Sequence, residues 1–190
     1  MPETIRAIAR LNHKLMPVAR GDRYEDPLAE ELDKSGFGHV DGGGTMLNKS
    51  KEIEFIEVEM NLAQTEKRIP FVIERLESYG APRGSMLTVG DGSDKKEIPF
   101  GKVEGVGIYL NGATLPGEVY ETCDVDEVIN EINKLVAGHG EIQARWDGST
   151  ETALYIYGDD AELIKKLISG YLAAYPLCKG ARVITLTAKN

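Results

Sequence analysis

A short motif occurs twice in this chain and sets its expected domain organisation. LNHKLMP at residues 11–17 and LNGATLP at residues 110–116 share Leu, Asn, an apolar residue and Pro, each offset by 99 positions. Asp26 and Asp124 recur at nearly the same offset. A repeat this long has the size of a small domain, so the 190 residues are expected to hold two copies of one fold.

The second half has the clearer pattern. Strands are expected where β-branched and aromatic residues cluster between turn residues, and helices where apolar residues recur at helical spacing after an Asp cap. The predicted order is βαββαβ. In chain order, the elements are a strand at 102–110, a helix beginning at Asp124, strands at 141–146 and 151–158, a helix from Asp159 that stops before Pro176, and a strand at 181–187.

The first half follows the same order, although its beginning is ambiguous. The apolar residues of 5–16 fit either a helical face or strand alternation. In the second half, the matching motif follows a strand, so we expect residues 5–13 to form a strand as well. The remaining predicted elements are a helix capped by Asp26 and ending at Gly36, strands at 39–47 and 52–62, a helix from near Pro70 to Gly80, and a strand at 84–89.

A βαββαβ order resembles the ferredoxin-like fold, in which two helices cover one face of a four-stranded antiparallel sheet. The sequence therefore predicts an α+β protein built by tandem duplication of a ferredoxin-like unit. The expected domains are residues 1–89 and 99–190, joined by the polar linker 90–98. Each unit would leave one sheet face open for packing, a ligand or a partner.

Composition narrows the classes of function. The net charge is −9 and neither half is basic, which argues against nucleic-acid binding, because binding to phosphates depends on Lys and Arg. No stretch has the apolar length of a membrane span, and MPETIRAIAR lacks the features of an export signal, so a cytoplasmic protein is expected. Cys123 and Cys178 have no zinc-like spacing, so we expect two reduced thiols, no metal and no cofactor.

Candidate functional residues are those at which the first half departs from the repeat, since the second half lacks them. They lie in the loop predicted after the first strand and in the second strand, whose counterpart reads EIQARWDG. The candidates for binding a ligand or partner are His13, Arg20, Asp22, Arg23, Tyr24, His39, Gly42, Gly43 and Gly44.

These residue types suggest specific chemistry. Arg20 and Arg23 could together bind a carboxylate or phosphate, and His13 or His39 could transfer a proton near neutral pH. Solvated ion pairs and structural histidines are the alternative. The glycines do not open a helix, as a phosphate loop requires, so they predict a local distortion or a contact surface in the second strand. No motif of a nucleophilic or metal-dependent enzyme occurs, and no catalytic residue is assigned.

Three functions remain open. The first is a non-catalytic binding protein that recognises a protein partner through sheet faces or loops, for example a bacterial inhibitor or immunity protein directed at a basic toxin. The second is a sensor of a small anionic or amino-acid-like ligand, similar in arrangement to tandem ACT-type regulatory domains. The third is an enzyme that uses residues 13–26. Pairing of exposed strand edges into a homo-oligomer is open as well.

Overall fold

The computed structural model describes residues 4–187, apart from the side chain of Ser93. The chain has an α+β fold with two antiparallel sheets, of five and four strands. It divides into two compact units, and within the described range residues 4–49 and 53–102 form the first, and residues 50–52 and 103–187 the second.

The first unit contains the five-stranded sheet, with strand order β2-β3-β1-β4-β5. Its first four strands have the order expected for the predicted βαββαβ unit. The elements are β1 Thr4–Leu11, α1 Pro17–Arg20, a π-helical segment Gly21–Glu25, α2 Asp26–Ser35, β2 Gly38–Leu47, β3 Ile53–Ala63, α3 Arg68–Ser78, β4 Ser85–Val89, a 3-10 turn Gly92–Asp94 and β5 Lys96–Phe100.

The second unit repeats this order in a four-stranded sheet, β7-β8-β6-β9. A short helix that the sequence did not predict, α4, follows the first strand of this unit. The elements are β6 Glu104–Asn111, α4 Gly117–Thr122, α5 Val125–Leu135, β7 Gly140–Asp147, β8 Glu151–Gly158, α6 Ala161–Ala174, a 3-10 turn Pro176–Cys178 and β9 Arg182–Thr185.

Alternation along the central strands decides which face of the first sheet is buried. In β3, Ile56, Val58, Met60 and Leu62 are fully buried, while Glu57 and Glu59 are only partly buried on the other face. The helices contribute Leu28, Leu32, Val72 and Leu76 to the buried residues of the unit. The core therefore lies on the helical side, and the polar residues of β3 are left on the open side of the sheet.

The second sheet buries residues on both faces. Val106, Ile108, Leu154 and Ile156 belong to a core that includes α5 and α6. The neighbouring positions of the same strands form a separate buried cluster of Tyr109, Ala153, Tyr155 and Tyr157, against which Trp146 and Leu186 pack. Three of the six tyrosines in residues 103–187, Tyr109, Tyr155 and Tyr157, thus serve as core residues.

The segment ARGDRYED, predicted as a loop, is helical. Residues 17–35 form one continuous helical path whose middle is the π-helical segment, in which the N–H of Asp26 donates to the carbonyl of Gly21. Asp26 has helical dihedral angles and lies inside the helix, so the prediction that it caps the helix was wrong. The predicted end is confirmed, because Gly36 adopts a left-handed conformation with φ of 69°.

Two residue types explain the unexpected helix. Pro17 stands at its first turn, where a missing N–H costs nothing. Pro27 cannot donate to the preceding turn, and a π-helical turn directly upstream accommodates such an interruption. The buried positions Arg20, Tyr24, Leu28 and Leu32 are spaced by four, and the arginine conceals this pattern from a search for apolar periodicity.

Smaller differences occur elsewhere. The predicted linker 90–98 contains the start of strand β5, which pairs with β4 from Lys96 to Phe100. Helix α6 is capped by Asp160 instead of the predicted Asp159, since the Asp160 side chain accepts a hydrogen bond from the Leu163 N–H at 2.9 Å. Among residues 4–187, no helix combines the length and apolar character needed to cross a bilayer.

Candidate functional site

A groove of about 580 Å³ lies on the open face of the first sheet. Three adjacent strands line its floor, because alternate residues of β1, β3 and β4 point to this side. These floor residues are Ile8, Arg10, Phe55, Glu57, Met86 and Thr88. A volume of this size falls in the range of small-molecule sites.

Arg10 lies over Phe55 inside the groove. Its guanidinium carbon is 3.6 Å from the centroid of the Phe55 ring, a cation–π contact. Arg10 and Glu57 are direct cross-strand partners in the sheet. Opposite charges at such positions usually pair, yet no ion pair joins them among the described residues. The Arg10 guanidinium instead contacts the ring of Phe55.

Apart from Arg10 and Glu57, the charged residues that line the groove are Lys95, Glu97 and Glu54. Lys95 and Glu97 form an ion pair at 2.6 Å. Glu54 also lines the groove and is exposed. Once the Lys95–Glu97 pair is set aside, the described lining of the groove holds one cation, Arg10, beside the carboxylates of Glu54 and Glu57.

The same strands carry a second pair of charges outside the groove. Arg6 and Glu59 form an ion pair with 2.6 Å between Nη2 of Arg6 and Oε2 of Glu59. The Glu59 carboxylate raises the pKa of Arg6 by hydrogen bonding and by its charge. Arg10, further along β1, has no ion-pair partner in the described part of the chain. Its guanidinium N–H groups are therefore available to donate hydrogen bonds to a ligand.

Two of the residues predicted from the sequence meet on the helical side of the sheet. His13 is fully buried, and its Nδ1 lies 2.8 Å from the hydroxyl of Tyr24. Burial raises the pKa of the Tyr24 phenol. The π-helical segment brings Tyr24 to His13. Both side chains are inaccessible to a bulky ligand, so this contact stabilises the unit.

Arg20 contacts the glycine run. The guanidinium donates to Thr45 Oγ1 at 2.7 Å and pairs through Nε with Glu25. A Cβ at Gly43 would overlap the carbonyl oxygen of Glu57 and lie 2.8 Å from Oε1 of Glu25. Gly43 is therefore required where the Arg20–Glu25 pair packs against β2.

The remaining candidates are separate from this contact. Asp22 is exposed, and Arg23 donates to the Tyr79 carbonyl at 3.5 Å. His39 is exposed beside Asp41, with 3.1 Å between Nε2 and Oδ1. The structure does not gather these residues into one ligand site.

The predicted distortion in the second strand is present. The register with β3 shifts between Val40 and Gly42, and Gly42 has φ of 129°, a conformation that favours glycine. At Gly44 the nearest atom to an added Cβ would be Oε2 of Glu57, at an ordinary 3.8 Å. Gly42 thus serves the bulge and Gly43 the close approach, whereas a Cβ at Gly44 would meet no clash.

Sequence reasoning did not identify Arg10 and Phe55 as site residues. The available signal was the alternation of Arg6, Ile8 and Arg10 in β1, matched by Phe55 and Glu57 in β3. That pattern also fits an ordinary solvated face. Only the register of β1 and β3 shows which charges lie opposite one another.

Within residues 4–187, no group of three or more His, Cys, Asp or Glu side chains is arranged to hold a metal ion. No protein-family model matches the sequence, and no curated protein matches it.

Several solved structures share a distant likeness. A heme-binding protein from Thermus thermophilus has 13% identity and a TM-score of 0.30, with 96% of this chain and 90% of that chain covered. A mutant chlorite dismutase from Candidatus Nitrospira defluvii has 11% identity and a TM-score of 0.32, covering 96% and 91%. The first two RRM domains of yeast poly(U)-binding protein have 10% identity and a TM-score of 0.27, covering 96% and 99%. Likeness this weak does not indicate what the chain binds.

Proposed function

We propose that the protein is a non-catalytic binding protein and that the groove on the open face of the first sheet is its ligand site. The observation that carries this proposal is the Arg10 guanidinium, which has no ion-pair partner among residues 4–187 and is stacked on Phe55 within a concave surface of about 580 Å³. Tyrosines are buried on the corresponding face of the second sheet. We therefore assign the binding of a small molecule, and with it the role of a sensor, to the first unit.

The proposal includes an origin by tandem duplication of a ferredoxin-like unit. It is supported by the repeated motif at residues 11–17 and 110–116 and by the equivalent strand orders of the two sheets. The two free cysteines fit a cytoplasmic location, where thiols stay reduced.

A groove-filling variant tests the ligand site. Thr88→Trp places a large ring among the groove-lining residues of β4. Thr4→Trp is the matched control, because Thr4 is exposed on β1 and is not part of the groove lining. Each protein is purified under native conditions and denatured, and the released small molecules are identified by mass spectrometry.

We expect the parent chain and Thr4→Trp to release the same metabolite and Thr88→Trp to release none. Equal release from Thr88→Trp and the parent would show that the ligand binds elsewhere. If no metabolite is released by any of the three proteins, and no metabolite of a native-cell extract added to the parent chain shifts the NMR amides of Ile8, Arg10, Phe55 and Glu57, the groove is not a small-molecule site.

A protein partner is the second candidate. Large apolar side chains are exposed at the start of the first helix and at the end of β2, with Val18 77% and Leu47 50% exposed. The hydrogen bond from Arg20 to Thr45 links these two elements. Contiguous exposed apolar patches rimmed by polar residues are typical of protein interfaces. The net charge of −9 favours a basic partner, as in an inhibitor of a basic toxin.

Val18→Ser and Leu47→Ser test this second candidate. In an affinity pull-down from the native cell, a stoichiometric basic protein should be captured by the parent and lost from the double variant. Capture that is unchanged in the double variant would exclude these residues as the interface.

A further inference from the structure

We infer that the ligand of the groove is a small zwitterion of the free α-amino acid class, with its carboxylate on Arg10 and its ammonium on Glu57. This inference rests on the proposed ligand site and adds the chemical class of the ligand. It starts from two opposite charges of the groove that do not pair with each other.

Arg10 provides the anion-binding element. The guanidinium carbon lies 3.6 Å from the Phe55 ring centroid, and this contact restricts where the guanidinium lies while its N–H groups remain available for a carboxylate. Arginine binds carboxylates through two parallel hydrogen bonds, which need the guanidinium edge to face the ligand. Since no described carboxylate pairs with Arg10, a ligand does not have to break an existing ion pair.

Glu57 provides the cation-binding element. It is the direct cross-strand neighbour of Arg10 and lies in the same groove. It has no ion-pair partner among residues 4–187. Glu59, two residues further along β3, differs because it forms an ion pair with Arg6 of β1. A carboxylate and a guanidinium that lie side by side without pairing match a ligand with both charges.

The surrounding charges exclude simpler ligands. A plain anion at Arg10 would be repelled by Glu54 and Glu57, and a plain cation at Glu57 would be repelled by Arg10. Lys95 and Glu97 neutralise each other at the edge. A zwitterion satisfies both groups at once, and Ile8 and Met86 offer apolar contact to its side chain.

The test is an NMR titration of the full-length 15N-labelled protein with each common L-amino acid at about 10 mM, which would saturate a site with a millimolar Kd. We expect at least one amino acid to shift the amides of residues 8–10 and 55–57. Its methyl ester, which lacks the carboxylate, and its deaminated acid should each bind at least about tenfold more weakly, or 1.4 kcal/mol.

Arg10→Met and Glu57→Gln should each weaken binding by a similar factor. Arg6→Met and Glu59→Gln are matched controls on the same strands and should leave the affinity unchanged. Thermal unfolding of each variant reports whether it folds, and Glu57→Gln, which keeps the shape of the side chain, decides the outcome if Arg10→Met does not fold.

Three outcomes would overturn the inference. The first is the absence of any shift with all amino acids, and the second is equal binding of the deaminated acid. In the third, the groove-dependent metabolite identified by mass spectrometry lacks either charge. That last result would refute the zwitterion while leaving the proposed ligand site standing, whereas metabolite release that survives Thr88→Trp would refute the site itself.

Discussion

The guanidinium of Arg10 lies 3.6 Å above the ring centroid of Phe55, while its cross-strand partner is Glu57. An arginine opposite a glutamate normally forms an ion pair. Stacking on the diagonal aromatic residue instead separates the two charges, and this separation distinguishes the groove from the Arg6–Glu59 pair on the same strands.

Phe55→Leu tests the role of the ring. Leucine keeps an apolar side chain at this position but removes the π face, so Arg10 should be released toward Glu57. We expect the free energy of unfolding to change by no more than about 1 kcal/mol, the size of one exposed cation–π contact. Ligand affinity should fall, as measured by the NMR titration. An unchanged affinity would show that the stacked geometry is not required.

Gly43→Ala should destabilise the first unit. The added methyl group would overlap the Glu57 carbonyl oxygen and crowd Nε of Arg20 at 3.0 Å. Overpacking of this kind costs about 1–3 kcal/mol. Gly44→Ala is the control, because its nearest neighbour would be 3.8 Å away. Urea unfolding of both variants compares them, and equal stability would contradict the close approach at Gly43.

Removal of one partner from the Arg20–Glu25 ion pair should lower the free energy of unfolding. The side chains are only 11% and 18% exposed, so Glu25→Ala leaves a nearly buried guanidinium that keeps its hydrogen bond to Thr45 but loses its counter-charge. We expect a loss of about 2–3 kcal/mol in urea unfolding. Glu30→Ala, which removes the exposed Glu30–Lys34 pair, should have no measurable effect. Equal effects of the two changes would show that the Arg20–Glu25 pair is solvated.

Stability should decline at alkaline pH in part through Cys178. Burial raises the pKa of this thiol to about 11 from 9.0. As the pH rises, the thiol therefore loses its proton in the unfolded state before it does so in the folded state. The contribution of the buried neutral thiol to the free energy of unfolding is complete below pH 9 and is lost as the pH rises toward 11. Cys178→Ala should show a shallower decline over this interval in urea unfolding, whatever its stability at neutral pH. In a Cys123→Ser variant, which leaves Cys178 as the single thiol of the sequence, thiolate absorbance of the native protein near pH 9 would contradict the raised pKa.

The sequence predicted much of the secondary structure, because alternation in β3 and helical spacing in α5 are local patterns. It failed at residues 17–26, where buried Arg20 and the π-helical turn break the apolar periodicity. It also missed the start of β5, because the polar, glycine-containing stretch 90–98 was predicted to be a linker, although the strand pairs with β4 from Lys96 to Phe100. An edge strand needs only one neighbour and tolerates proline and lysine, so its composition carries little signal.

Local patterns in the sequence were enough to predict the α+β class and most of the order of strands and helices, since both depend on residues close together in the chain. For the glycine run they left a distortion and a contact surface as alternatives, and the pairing of β2 with β3 locates the distortion at Gly42. The burial of Arg20 and Tyr24, and the meeting of Arg10, Phe55 and Glu57 in one open groove, became known from the folded chain alone. The cause is register, because β1 and β3 are separated by more than 40 positions in the chain and their pairing fixes which side chains lie opposite one another.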